Sequence, residues 1–222
     1  KGLETPLDKN ENSGALVAMR DFRDGTNLTG LNPGEEKLIR HIGFSGHLNS
    51  PTLINMLQRD QYDILECMLV PINPNDKRYL SHQYNVIPVA QAKNLGIIAM
   101  KVFAGGAMYS KEFSPSKVVR TIGSKELPSK PLVEYALTTP GIHTAIIGIG
   151  KISKNYLKCQ LVQNYFAAQI AHDGMSEKKR LEIEAKTGTV NDGQTNWFQL
   201  PQIGLTPPNN VQVIIQDDLE IT

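Results

Sequence analysis

The sequence has no surplus of charge of either sign. Its 23 Lys and Arg stand against 22 Asp and Glu. There is no basic field to hold a nucleic-acid backbone and no acidic tail, so nucleic acid is not an expected partner. Cysteine is nearly absent. Cys67 and Cys159 are far apart and in different candidate elements, which gives neither a disulfide framework nor a metal cluster, and they read as core thiols. Long apolar runs are missing too. Ile142 to Ile149 is among the longest, yet His143 and Thr144 interrupt it and it is far too short to span a bilayer, so no membrane partner is expected. The five histidines, His41, His47, His82, His143 and His172, share no ligand spacing, and no metal site is expected. No G-x-S-x-G, Walker or strand-following G-x-G-x-x-G motif occurs, which removes the usual nucleophilic and nucleotide fingerprints. The chain opens on Lys1 with no charged region followed by an apolar one, and Asn27-Leu28-Thr29 meets a glycosylation sequon. Neither feature assigns a compartment.

What is present is an alternation of short β-branched runs with helix-like stretches. At 222 residues and 40% hydrophobic, the chain is long enough to bury a core of one large domain. Ile39–Phe44, Ile64–Leu69, Ile97–Val102 and Thr144–Ile149 read as strands apolar on both faces, the pattern of a parallel sheet covered on both sides. Helices are expected from Ser50 to about Asp60, with Pro51 in the first turn, from Pro88 to a stop at Gly96, and from Ser129 through Leu137 to Pro140-Gly141. Two more are expected over Ser153–Ala171 and Ser176–Lys186. The repeated unit is βα, and its right-handed crossovers lead to an open doubly wound sheet or a barrel. Four strands are too few to close a barrel. After Phe198 the composition turns to Pro201, Gly204, Pro207 and Pro208, a linker followed by a β-type segment.

In either parallel architecture the ligand face lies at the carboxyl ends of the strands. The first end offers Ser45, Gly46 and His47, which read equally as a solvated strand exit. The second offers Glu66, with Asn73 further along a loop; a carboxylate inside an apolar strand needs a polar cavity or a donor. The third offers Met100, Lys101, Gly105 and Gly106. Met100 alone reads first as core, whereas the glycine pair permits close approach of backbone to a phosphate. The fourth offers Gly148, Gly150 and Lys151 ahead of a helix, a pattern suited to an anion with a lysine as point charge.

Taken together, "LIRHIGFSGH", "YDILECMLVPIN", "IPVAQAKNLGIIAMKVFAGG" and "LVEYALTTPGIHTAIIGIGK" with "QLVQN" resemble the second half of an aldo-keto reductase, from about Ser13 to Phe198. The resemblance implies an α/β fold of the (β/α)8 TIM-barrel type, with only the C-terminal half, about four βα units, in this chain. It implies an oxidoreductase that uses NADP(H), or NAD(H), to transfer hydride to and from an aldehyde or ketone. By position Ser45 matches the residue that hydrogen-bonds the nicotinamide carboxamide. Glu66 falls where the family usually has a glutamine, and a carboxylate accepts from the amide NH2 but cannot donate to its carbonyl. Met100 takes the place of an aromatic ring against the nicotinamide face. Lys101, Gly105 and Gly106 match the loop along the pyrophosphate, Gly148, Gly150 and Lys151 the loop after the last strand, and Gln163 and Asn164 the residues that touch adenine. Lys151 and Lys154 favour a 2′-phosphate, while the spacing from Gly150 to Gln163 exceeds the common pattern.

The family's proton donor, a tyrosine, and its lysine, aspartate and histidine partners come from the first half of the barrel. None has a counterpart in this sequence, and Tyr62, Tyr84 and Tyr109 do not occupy the donor's context. His47 lies past its strand end and not at the position of the family's active-site histidine. The expectation is therefore a cofactor cradle that does not turn over alone and is completed by a missing N-terminal half-barrel or a complementing chain. The alternative is a noncatalytic nucleotide-binding barrel serving as a regulatory or scaffolding subunit. Residues 1–198 form the barrel part. Residues 199–222 form a linker and, in "LTPPNNVQVIIQDDLEIT", a segment similar to the start of a fibronectin type III module, which would point to export.

Overall fold

A computed structural model describes residues 14–47, 50–60, 62–74, 81–105, 129–150, 152–156, 159–170 and 174–188. Gly106, Tyr109, Lys151 and the linker and fibronectin-like segment at 199–222 lie outside the described residues. The elements run α1 (Ala15–Asp24), β1 (Gly43–Ser45), α2 (Ser50–Arg59), β2 (Cys67–Pro71), α3 (Val86–Ala92), β3 (Gly96–Met100), α4 (Ser129–Leu137), β4 (Thr144–Ala145), α5 (Gln160–Ala167) and α6 (Glu177–Gly188). The four strands make one sheet in the order β1-β2-β3-β4, and each neighbouring pair is parallel. This is an α/β fold of sequential βα units, the partial-barrel arrangement expected. Within the described residues β1 and β4 are edges.

Register sorts the side chains by face. Phe44, Met68 and Ile97 share a row, and Val70, Ala99 and Ala145 share another. Met68, Val70, Ile97 and Ala99 are fully buried, in one core with Leu53, Leu57, Val86, Ile87, Ala90, Leu132, Val133 and Ala136 from α2, α3 and α4. The opposite face carries Gly43, Ser45, Cys67, Leu69, Gly96, Ile98 and Thr144, all exposed or half-buried. It closes only toward the carboxyl ends, where Pro71 and Met100 are buried. The expectation of equal cover on both faces is corrected for the described residues: only one face is packed by helices. Glycine at 43 belongs to this open face. A Cβ there would land on Cys67 Sγ and lie 2.7 Å from the Cys67 carbonyl oxygen.

Local signals explain most element ends. Gly25, in the left-handed region (φ 72), stops α1 and donates its N–H to Asp21 O at 2.8 Å. The stop expected at Gly96 falls instead on Asn94 (φ 57), a residue that tolerates left-handed backbone, and Gly96 is free to open β3. The helix expected over Ser153–Ala171 is shortened to α5, with 152–155 non-helical. The strand expected over Thr144–Ile149 is shortened to Thr144–Ala145, with one further bond to β3 from Ile146 N–H to Ala99 O at 2.8 Å.

The connection from α1 to β1 is held by two buried polar side chains. Asp21, 1% exposed, accepts from Thr26 Oγ1 (2.6 Å), Leu28 N (3.0 Å), Thr29 N (2.8 Å) and Thr29 Oγ1 (2.5 Å). Burial by itself would raise its pKa, but the bonds from Thr26, Thr29 and Leu28 outweigh it and hold the carboxyl at about 2. Asn32 donates to the carbonyls of Asp21, Thr26 and Glu36 at 3.0–3.3 Å. These bonds order a loop that has no ladder of its own.

Gly43→Ala is expected to lower stability by about 2 kcal/mol, because the added methyl meets a strand carbonyl that cannot retreat without breaking the β1–β2 register. A urea unfolding curve compared with wild type checks this.

Candidate functional site

The shared direction of the strands brings Ser45, Lys101 and the Gly148–Gly150 loop to one rim. Ser45 ends β1 with its side exposed, and the ladder continues one step beyond through Gly46 N–H to Leu69 O at 3.1 Å. Gly46 lies close against α2: an added Cβ would meet the Leu53 side chain, which would have to shift. That close approach lets the chain turn over α2 and place His47 on the rim. The imidazole of His47 has its pKa lowered, by partial desolvation first and by the charge of Lys101 second. His47 and Lys101 therefore feel one another across the mouth.

Lys101 follows β3 in left-handed backbone (φ 54), and Ala104 (φ 49) and Gly105 (φ 66) follow in the same region. The turn is closed by Ala104 N–H to Lys101 O at 2.7 Å, and the same carbonyl accepts from Asn73 Nδ2 at 3.2 Å. Asn73 is fully buried, and its own carbonyl accepts from Gln83 Nε2 at 3.4 Å. The loop after β2 thus braces the end of β3. Met100, 8% exposed, lies on the barrel-facing side of β3 under this turn.

The fourth strand end is held from below by α5. Asn164 Nδ2 donates to Gly148 O at 2.9 Å, and Asn164 Oδ1 accepts from Gln160 Nε2 at 2.7 Å. Gly150 is left-handed (φ 60), with the Gln160 side chain in contact range of any added Cβ, whereas nothing lies within 4 Å of a Cβ at Gly148. The loop is therefore fixed at its root and open at Gly148.

One expected site residue is placed elsewhere. Glu66 does not reach the rim. It precedes β2 at the amino end of the sheet, where its carboxylate accepts from Arg23 Nη1 at 3.0 Å and is paired with His41 Nδ1 at 2.5 Å. The hydrogen bond with His41 first, and that with Arg23 after the opposing effect of burial, hold its pKa below the usual carboxylate value. The cause lies upstream: Asp60 accepts from Ile64 N (2.9 Å) and Leu65 N (2.8 Å), with Asp63 left-handed (φ 48). That turn consumes the residues expected to start the strand, so pairing begins at Cys67. Asn164 has both ends of its amide engaged with Gly148 and Gln160, which makes it a brace for the loop after β4. Gln163 donates to Tyr156 O at 3.1 Å.

One group went unnoticed in the sequence. His82 is fully buried, and so is Ser50; His82 Nδ1 and Ser50 Oγ are 2.9 Å apart. Ser50 reads from sequence as a helix cap, and nothing in the spacing ties it to a histidine 32 positions on. Among the described residues no group of three or more His, Cys, Asp or Glu could hold a metal ion, and no described helix is long and apolar enough to cross a membrane.

No family model matches the chain, and no match was found among curated proteins. Among solved structures, the holo form of an aldo-keto reductase from Bacillus halodurans is similar, at 15% identity and a TM-score of 0.47, over 70% of this chain and 56% of that one. The chain spans little more than half the length of that enzyme. No residue role is transferred from it.

Two expectations follow. Glu66→Gln should lower stability by about 0.5–1 kcal/mol, the scale of a half-exposed ion pair, and leave any ligand at the carboxyl rim bound as tightly as before; denaturation and titration on one preparation check both. Burial holds His82 at about 4 against 6.5, so between those values the unfolded chain takes up a proton that the folded chain does not. Stability should fall as pH drops from 6.5 to 4, by about 3 kcal/mol in all, and level off below. Urea midpoints over that window should lose this slope in His82→Gln.

Proposed function

We propose that this chain is the cofactor half of an NADP(H)-dependent oxidoreductase of the aldo-keto reductase type, acting on an aldehyde or ketone, with the proton-donating half supplied by an N-terminal half-barrel of the same protein or by a complementing chain. The observation that supports it is the convergence of Ser45, Lys101, Gly105, Gly148 and Gly150 on the carboxyl rim of a sequentially ordered parallel sheet.

The residues present suit the cofactor at three points. Ser45 offers an exposed hydroxyl that both donates and accepts, the chemistry an amide demands. Lys101, aimed by a turn that Asn73 braces, supplies positive charge, and Gly105 and the unobstructed Gly148 allow backbone to approach a phosphate. Met100 offers a thioether under the turn, able to cover an aromatic face. Glu66, at the amino end of the sheet, takes no part, so the amide is held from Ser45 and not by a pair. When bound, NADP(H) supplies the hydride; this chain's residues bind it, orient its amide and neutralise its phosphates. The half-exposed sheet face, with Leu69 and Ile98 on it, is the surface a complementing half-barrel would cover.

Titration with NADPH, followed by cofactor fluorescence, tests the proposal. Binding is expected for the wild-type chain, about tenfold weaker binding for Ser45→Leu, and carbonyl reduction only after a complementing half-barrel is added. Unchanged affinity in Ser45→Leu overturns the cradle.

A further inference from the structure

The strongest unexplained feature is a set of fully buried polar side chains directly beneath the rim. Asn73, Ser50, Ser81 and His82 are all excluded from water, in a region where β1, β2 and β3 end. Buried polar groups are costly unless bonded, and a bonded network specifies one arrangement of the segments it joins. Here the segments are those that present the proposed cofactor contacts. His82, in the loop that follows β2, pairs with Ser50 at the start of α2. It thereby holds the β1–α2 connection at its far end, five residues after Ser45. The same loop holds β3's end, through Asn73 Nδ2 on Lys101 O, and is anchored behind by Ile87 N–H to His82 O at 3.0 Å and by Asn85 Nδ2 to Ser81 O at 2.6 Å.

We propose that His82 is a positioning residue for this rim, its imidazole holding the β1–α2 connection so that the Ser45 hydroxyl is set against the nicotinamide amide. This rests on the NADP(H) reading above. His82 touches no ligand itself. Its effect passes through Gly46 and His47, whose path is already tight because Gly46 lies against Leu53. Loss of the bond to Ser50 leaves that path its steric limit but removes a buried polar tie at the start of α2.

The test uses the full chain and four substitutions, alone and in one combination. His82→Leu, folded by far-UV spectrum, is expected to bind NADPH about tenfold more weakly, and His82→Gln, which still donates and accepts, to recover most of the affinity. In a Ser45→Ala background His82→Leu is expected to add no further loss, since the two act as one unit. Amide exchange across residues 43–47, measured without cofactor, is expected to quicken in His82→Leu and not in His82→Gln. Should His82→Leu fail to fold, Ser50→Ala removes the other partner of the same bond and takes its place in each comparison. Wild-type affinity in the folded variant, or a loss that persists in the Ser45→Ala background, overturns the positioning role while the cofactor reading stands. Failure of the wild-type chain to bind NADPH sinks the cofactor reading, and unchanged exchange across 43–47 then overturns the clasp on its own.

Discussion

Parallel pairing from β1 through β4 is the constraint on which everything else depends. Because Ser45 stands opposite Leu69, and Pro71 opposite Met100, the residues that follow each strand emerge on one side. No side-chain interaction could assemble Ser45, Lys101 and Gly148 from sequence positions so far apart. The same constraint separates Glu66, which differs from the rim group by one structural fact: it precedes its strand.

Around that frame the molecule uses buried polar side chains as pins. Asp21 and Asn32 order the α1–β1 connection at the amino end, Asp60 shapes the entry to β2, and Asn164 roots the loop after β4. A further pin lies at the back of the sheet, where Tyr135 donates to Glu184 at 2.6 Å and Arg180 sits 4.1 Å from its ring centre. Burial pushes the Tyr135 hydroxyl well above its ordinary pKa, so it stays a donor. Each pin joins two elements that the hydrophobic core alone would hold together without fixing their angle. Net gain per bond is modest, on the order of 1 kcal/mol; their value is specificity.

What could be seen in the sequence was local. The starts of α2 and α4, the stop of α1 at Gly25 and the extent of α6 all follow from punctuation within one turn of the element. The parallel sheet followed from the βα repeat, itself a sum of such local signs. What stayed hidden was decided by contacts at long range or by polar side chains capturing backbone. Ile64 and Leu65 are as apolar as a strand requires, yet Asp60 takes their N–H groups first. Asn94 competes with Gly96 for the left-handed position and wins, because asparagine accepts that conformation and the next glycine is needed in β3. The pairing of His82 with Ser50 has no sequence signature at all, since loops carry no period. Asn164 and Gln160 are four apart on one helix, so that bond was readable; its extension to Gly148 was not.

Lys101 and Ala104 occupy left-handed backbone without being glycine, at a cost on the order of 1 kcal/mol each. That energy is spent when the protein folds, before any encounter with a ligand. The turn after β3 thus holds its shape by itself, and its backbone has little freedom left to surrender.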